Sequence, residues 1–502
     1  MFPGRSVKPE IITAQQHNSE RIKALPMDIK QYYLEVAEGK GKRMTSEVVA
    51  FSPSRLNLAE LEERLASQTF FTQGDIEYAE HDENSFYYTC HYGDEELLFL
   101  VSLAPRAPEL EINPYYSTDP LSAGLLAEVN QTGQDIYVEC LLQNDVLRSY
   151  RYQLKMVQIL VPDLLLGIDI SAAGRGFTRE WLNFQLENDV QLNIESLYTI
   201  HAIYDTENSP PTMYWFHTHG LLRCGIPEVE LLLPHTINAY YGIPDLLRSF
   251  IGQSLNEGKV LFNEPMLCGQ TEKQLEYIVA LPYQEGIRQI NKNTPIDQLK
   301  PLEEIDYSHD NMPENEFLGD RGDRDDQHDH PSCMLFRVNE SSPVLQTFFR
   351  GFDDDAAIMF YRPNSETHEM AVKARLRWHY FAQMFAEYGQ PVVKTKKGLL
   401  GGLFGKKARD EEDEHPWAFM VKCGIPYGDE DDLEHMWFIP ETLDNDVFTG
   451  KLINQPFYVE EMEEGGVYSL NTEMLTDWNI YFSGEKYTPD TIYQLLSPSQ
   501  VH

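Results

Sequence analysis

Cysteine is scarce in this chain. Cys90, Cys140, Cys224, Cys268, Cys333 and Cys423 stand singly, with no Cys-x-x-Cys pair and no framework of close spacings. That excludes a disulfide scaffold and predicts buried, reduced thiols. Long apolar runs are missing too: Leu164, Leu165 and Leu166 sit between Asp163 and Asp169, far short of a membrane span. Met1 to Arg5 lack the apolar stretch of a signal peptide. A cytoplasmic location is expected. Positive charge is the third shortage. The 502 residues carry 40 Lys and Arg against 80 Asp and Glu, a net charge of −40. Such a field repels phosphate backbones and the anionic face of a membrane. Neither nucleic acid nor membrane is an expected partner, and the charge points to another protein, a basic one above all.

Catalytic signatures are absent as well. The chain has no Gly-x-Ser-x-Gly elbow, no His-Glu-x-x-His helix and no kinase fingerprint. No Gly-rich phosphate loop follows a strand, and Gly174-Arg175-Gly176 is too little to make one. No catalytic residue and no cofactor-binding residue is assigned.

What is there is material for several cores, with 42% hydrophobic and 12% aromatic residues spread over more chain than one core supports. Residues 1–45 mix charge with Pro and Gly and read as a flexible N-terminal segment, with a short helix from Ile29 to Ala37. An α+β domain is expected over 46–160. Asn57 caps a helix with Glu60 at its third position and Leu58, Leu61 and Leu65 on one face. Phe86, Tyr88 and Cys90, then Leu97, Phe99, Val101 and Leu103, repeat with the period of strands. Asp119-Pro120 opens another helix, and Val146 to Leu160 reads as a third. A second α+β domain is expected over 161–302, with strands at Leu197 to Tyr204, Met213 to His219 and Val229 to Leu233. Strands come in runs, which favours antiparallel sheets with packed helices.

Between residues 303 and 330 the composition turns acidic. Asp306, Asp310, Glu314, Glu316, Asp320, Asp323, Asp325, Asp326 and Asp329 are interspersed with His309, His328 and His330. So few apolar residues predict an inter-domain linker. The alternative is a divalent-cation site, since carboxylates and imidazoles are hard and borderline ligands, but Asp320 to Asp329 does not reproduce the ligand spacing of an EF-hand loop. A second low-complexity stretch, 391–415, sets Lys394, Lys396, Lys397, Lys406, Lys407 and Arg409 around four glycines; on a chain of this net charge it reads as a mobile insertion rather than a basic, apolar membrane anchor.

One constellation has chemical content. Met213, Trp215, His217 and His219 share a strand face, because side chains two apart point the same way. Cys224, Glu228 and Glu230 follow within a dozen residues, and His201 and His235 are near in sequence. His217, His219 and Glu230 are the candidate ligands of a metal, zinc being the candidate ion. The His-x-His step resembles that of JAMM-type metalloproteases, where a serine and an aspartate ligand follow. Here those positions are Pro227 and Glu230, so the hydroxyl that would stabilise an oxyanion is missing. Glu195 and Glu207 are the upstream candidates for a general base. Paired histidines hydrogen-bonded beside Trp215 are the plainer alternative.

The last domain is expected over 331–490. Trp417-Phe419-Val421 and Met436-Phe438 alternate as strands, and Val447 to Ile453, Val467 to Leu470 and Asn479 to Phe482 add three more. A helix from Glu369 to Tyr388 covers one opening of the small β-barrel-like sheet they form. Trp437 and Trp478 are expected in its core, and Glu434 and His435 are the candidate binding-surface residues. That segment, with Glu434-His435-Met436-Trp437, Gly450-Lys451-Leu452-Ile453-Asn454-Gln455-Pro456 and Asp477-Trp478 in order, resembles the YegJ-like domain-of-unknown-function family of bacterial proteins. Phe216-His217-Thr218-His219-Gly220-Leu221 resembles part of a second uncharacterised bacterial family. Neither resemblance implies a catalytic residue. The expectation is a multidomain α+β cytoplasmic binding protein of adaptor or immunity-like kind, with a metal-dependent hydrolase centred on His217 and His219 as the alternative.

Overall fold

The chain is seen in a computed structural model that describes residues 28–80, 82–107, 112, 116–205, 211–233, 242–271, 274–308, 312–313, 317–324, 328, 330–339, 342–346, 358–389, 416–428, 432–444 and 446–496. The fold is α+β and multidomain, with two compact units. Unit 1 takes residues 1–187 and 191–363, and unit 2 takes 364–502 with 188–190. Among the described residues, no helix is long and apolar enough to cross a membrane. The insertion expected at 391–415 lies outside the described residues.

The first sheet of unit 1 holds β1 (Ser46–Phe51), β2 (Thr72–Tyr78), β3 (Ser85–Tyr92), β4 (Glu95–Pro105), β5 (Gln134–Cys140), β6 (Leu166–Asp169) and β7 (Arg175–Phe177). They run in the order β2-β3-β4-β5-β1-β6-β7, antiparallel throughout. The helices between them start where side chains satisfy free backbone amides. Before α1 (Ile29–Ala37), Asp28 accepts from Lys30 N and Gln31 N. Asn57 and Glu60 form a reciprocal capping box at α2 (Leu58–Ser67). Ser122, rather than Asp119-Pro120, caps α3 (Ala123–Gln131). Asp145 caps α4 (Val146–Leu160).

The second sheet holds β8 (Thr199–Tyr204), β9 (Tyr214–His219), β10 (Glu228–Leu233), β11 (Met266–Gln270), β12 (Leu275–Pro282), β13 (Ser332–Asn339), β14 (Ser342–Gln346) and β15 (Met359–Phe360). Its order is β15-β11-β12-β13-β10-β9-β8, with β14 on β13, and β10 with β13 is its parallel pair. The helices α5 (Arg179–Leu186), α6 (Ile243–Glu257) and α7 (Tyr283–Gln289) complete unit 1. Gly220 joins β9 to the turn before β10 at φ +122°, and a Cβ there would lie 2.3 Å from Leu197 O. Only glycine makes that corner without moving the backbone beside it.

The divisions expected from composition need correction. Residues 28–45 are no loose tail: Tyr33 and Val36 of α1 are fully buried, and the Tyr33 hydroxyl donates to Ser332 O at 2.6 Å. The break expected at 160 falls inside the first sheet, since β6 and β7 pair beyond it. The acidic stretch 303–330 belongs to unit 1. Its Met312 and Phe317 lie in the core with Trp215, Leu281 and Phe336, so two apolar anchors outweigh the surrounding charge. The strands β13 to β15, expected with the last domain, complete the second sheet instead.

Unit 2 holds β16 (Trp417–Pro426), β17 (Leu433–Asp444), β18 (Val447–Leu452), β19 (Val467–Asn471), β20 (Leu475–Phe482) and β21 (Glu485–Tyr487). They form an antiparallel sheet in the order β19-β18-β17-β16-β20-β21. The expected covering helix is two, α8 (Asn364–Leu376) and α9 (Trp378–Tyr388), with a short α10 (Tyr493–Leu496) at the end. Between the first two, Arg377 is buried and donates to Pro489 O at 2.8 Å and to Asp490 Oδ1 at 3.0 Å. Trp478 is fully buried, and Met436 and Phe438 face the core. Trp437 does not: it is half-buried on the other face of β17, under the Lys422 ammonium at 5.6 Å.

Candidate metal centre

Three histidines meet on adjacent strands of the second sheet. His217 and His219 share one face of β9 as their spacing requires. Antiparallel pairing sets His201 of β8 directly opposite His217. One ring nitrogen from each of His201, His217 and His219 lies within 4.8 Å of the others. Their centroids are 5.3 Å apart for His201 and His217, 4.6 Å for His201 and His219, and 4.9 Å for His217 and His219. A tetrahedral zinc site sets its nitrogens about 3.4 Å apart, so the rings would close by at most about 1.4 Å.

The surroundings keep these imidazoles neutral, which is the form that binds metal. His217 is 2% exposed. Burial, with the charge of neighbouring His328, pulls His201 down to about 4. Burial first, then the mutual repulsion of clustered histidines on protonation, holds His217 and His219 well below the usual range. Two of the buried ring nitrogens, His201 Nε2 and His217 Nδ1, have no hydrogen-bond partner. Tyr116 stacks on His201 at 4.3 Å and Trp215 lies 4.3 Å from His217, walling the rings with apolar surface.

Glu230, expected as the third ligand, does not join them. It lies opposite His217 in the β9 and β10 register, but Arg324 Nη1 and Nη2 grip its two oxygens at 3.0 and 2.9 Å, and Trp215 Nε1 donates to it at 3.0 Å. The buried Glu228 is committed elsewhere: it accepts from Thr218 Oγ1 at 2.6 Å and from the amides of Gly220 and Leu221 at 2.8 and 2.9 Å. Burial raises its carboxyl to about 7 against those hydrogen bonds. Cys224 is a buried thiol pushed up to about 12 by burial. Glu195 pairs with Arg248, and His235 and Glu207 lie outside the described residues.

Two contributors come from the acidic stretch. His328 brings its Nε2 to 3.2 Å from His217 Nε2. Arg324 holds it there, donating from Nε and Nη2 to His328 O at 3.1 and 2.6 Å. In sequence both belong to the acidic stretch, where nothing but a histidine among carboxylates marks them.

The other candidates lie in unit 2. Glu434 is half-buried and accepts from three successive amides, Phe457 N at 2.7 Å, Tyr458 N at 2.9 Å and Val459 N at 3.0 Å. His435 is half-buried, with Nδ1 3.1 Å from Thr476 Oγ1. Burial lowers its pKa, and Lys422 adds to that.

Three protein-family models match the chain in tandem. Residues 46–192 match "Protein of unknown function (DUF4026) N-terminal", residues 200–336 match "Protein of unknown function (DUF4026) C-terminal", and residues 364–499 match "Uncharacterized protein conserved in bacteria (DUF2314)". No curated protein and no solved structure matches the chain. The histidine cluster, Glu230, Arg324 and His328 all fall within the second region, and Glu434, His435 and Trp478 within the third. The third region covers the stretch with YegJ-like motifs and carries its own description rather than that name.

Proposed function

We propose that this chain is a metal-binding protein that takes a borderline divalent cation of the zinc class on His201, His217 and His219. The observation that carries the reading is the meeting of three neutral imidazoles from two strands, His217 buried and the other two half-buried, with an orphaned nitrogen on His201 and on His217. An all-imidazole set suits zinc, copper, nickel or cobalt rather than magnesium or calcium. Three protein ligands leave a position for solvent, as hydrolytic zinc sites do. A hydrolase also needs a base, and Glu228 and Glu230 are both committed, so binding is favoured over hydrolysis. Elemental analysis of the purified full chain should find about one zinc per chain. His217→Ala with His219→Ala should reduce it at least about tenfold. A wild-type chain free of metal and unable to take up cobalt would overturn the reading.

A second observation favours the protein-binding reading for unit 2. Phe457 is 81% exposed and Tyr458 64% exposed, yet Glu434 pins the backbone beneath both, and Tyr458 stacks on Tyr427 at 4.6 Å. Rigid outward aromatics bind at low entropic cost. From Tyr427 to Gly466 the chain carries twelve carboxylate residues and one lysine, so the fitting occupant is an arginine-rich segment of another protein, held by charge and cation–π contact. The adaptor or immunity-like role rests on this surface, and the YegJ-like kinship on the Glu434 to Trp437, Gly450 to Pro456 and Asp477-Trp478 motifs. Phe457→Ser with Tyr458→Ser should weaken binding of a fluorescein-labelled arginine-serine peptide by at least about tenfold without changing the melting temperature. An equal loss from Glu62→Gln with Glu63→Gln in unit 1 would reduce the surface to general charge. The six buried, unpaired cysteines support a reducing, cytoplasmic location.

A further inference from the structure

We infer that His328 is a positioning residue that fixes the tautomer of His217, so that the metal is taken by His217 Nδ1 and the site keeps an open coordination position. The inference rests on the reading of His201, His217 and His219 as ligands.

A neutral imidazole has one N–H and one lone pair. The two Nε2 atoms that face each other at 3.2 Å therefore make a hydrogen bond only when one of them carries a proton. Two assignments exist. If His328 donates, His217 holds its own proton on Nδ1, which is buried and without an acceptor, and a protonated ring nitrogen cannot ligate a cation. If His217 donates from Nε2, its Nδ1 becomes a bare lone pair. The strand directly opposite then offers another, because His201 Nε2 is likewise buried and unpartnered. His217 Nδ1 lacks a protein partner in either assignment, but only the second lets a cation supply one, through the lone pairs of His217 and His201. Metal-bound histidines commonly donate their other ring N–H in this way.

His328 is built to serve as the acceptor. Its carbonyl takes two hydrogen bonds from Arg324. The guanidinium is fixed in turn by the bidentate pair with Glu230 and by the Tyr283 ring 3.9 Å away. The side chains of that ion pair are almost fully buried. Glu230 thus acts on the metal through Arg324, His328 and His217 in turn, rather than as a ligand.

Cobalt titration of the full-length protein, followed by visible absorption, tests this. Wild type should bind one cobalt per chain. His328→Ala should weaken binding about ten- to hundredfold while the spectrum per bound cobalt is unchanged, because no ligand is lost. His328→Gln, whose amide oxygen can accept from His217 Nε2, should recover most of the affinity. Unchanged affinity in His328→Ala, with wild type binding, overturns the positioning role alone. A per-cobalt spectrum that shows loss of a nitrogen ligand makes His328 a ligand and overturns it as well. Absence of binding by wild type removes the metal reading and this inference together.

Discussion

Asp169→Ala should destabilise unit 1 by about 3–5 kcal/mol, a large part of the stability of an ordinary domain. The Asp169 carboxylate is fully buried. It accepts from Arg223 Nη1 at 2.9 Å and Nη2 at 2.8 Å, from the Tyr150 hydroxyl at 2.7 Å and from Ala172 N at 3.2 Å. Arg223 reaches it from the turn after β9 and also donates to Leu197 O and Ser46 Oγ. The pair joins the region that matches DUF4026 N-terminal to the region that matches DUF4026 C-terminal. Burial alone would pull the arginine's pKa down, but Asp169 and Tyr150 more than reverse this. Without the carboxylate a buried guanidinium is left uncompensated. Asp169→Leu combined with Arg223→Met removes both charges and should cost less than Asp169→Ala alone, and a double-mutant cycle in urea reads the coupling. A single variant as stable as wild type would show that water or another group compensates the arginine.

Local signals in the sequence carried far, and long-range ones did not. The Asn57 and Glu60 capping box, α1 and α4 follow from a few adjacent residues, and the structure has each of them. The shared face of Trp215, His217 and His219 follows from the period of a strand. His201 reaches the same site through the register of β8 on β9, across a connection whose residues state no register. Arg324 and His328 were hidden by averaging: a segment rich in acid reads as linker, although its Met312 and Phe317 lie in the core and its Arg324 pairs with Glu230. On β17, alternation groups Met436 with Phe438 and His435 with Trp437, but it does not say which group faces the core. Size and apolarity favour the tryptophan as the buried residue, and the structure buries the other pair.

That inversion makes the two tryptophans of unit 2 separable by experiment. Trp478→Ala should cost about 3–5 kcal/mol, the cost of deleting a large buried aromatic. The indole is fully buried, its Nε1 donates to Ala374 O of α8 at 2.9 Å, and its ring lies 5.3 Å from Phe381 of α9. Its loss opens a cavity between sheet and helices and strips a partner from a buried carbonyl. Trp437→Ala should cost no more than about 1 kcal/mol, since the ring is half-buried and its contact with Lys422 is of the exposed cation–π kind. Calorimetry of the full chain reads both variants, because the two units are expected to melt as separate transitions. The unit 2 transition should fall by many degrees in the first variant and by a few at most in the second. Equal shifts in the two would mean that Trp437 is packed as tightly as Trp478, and that the outer face of β17 is covered rather than open to solvent.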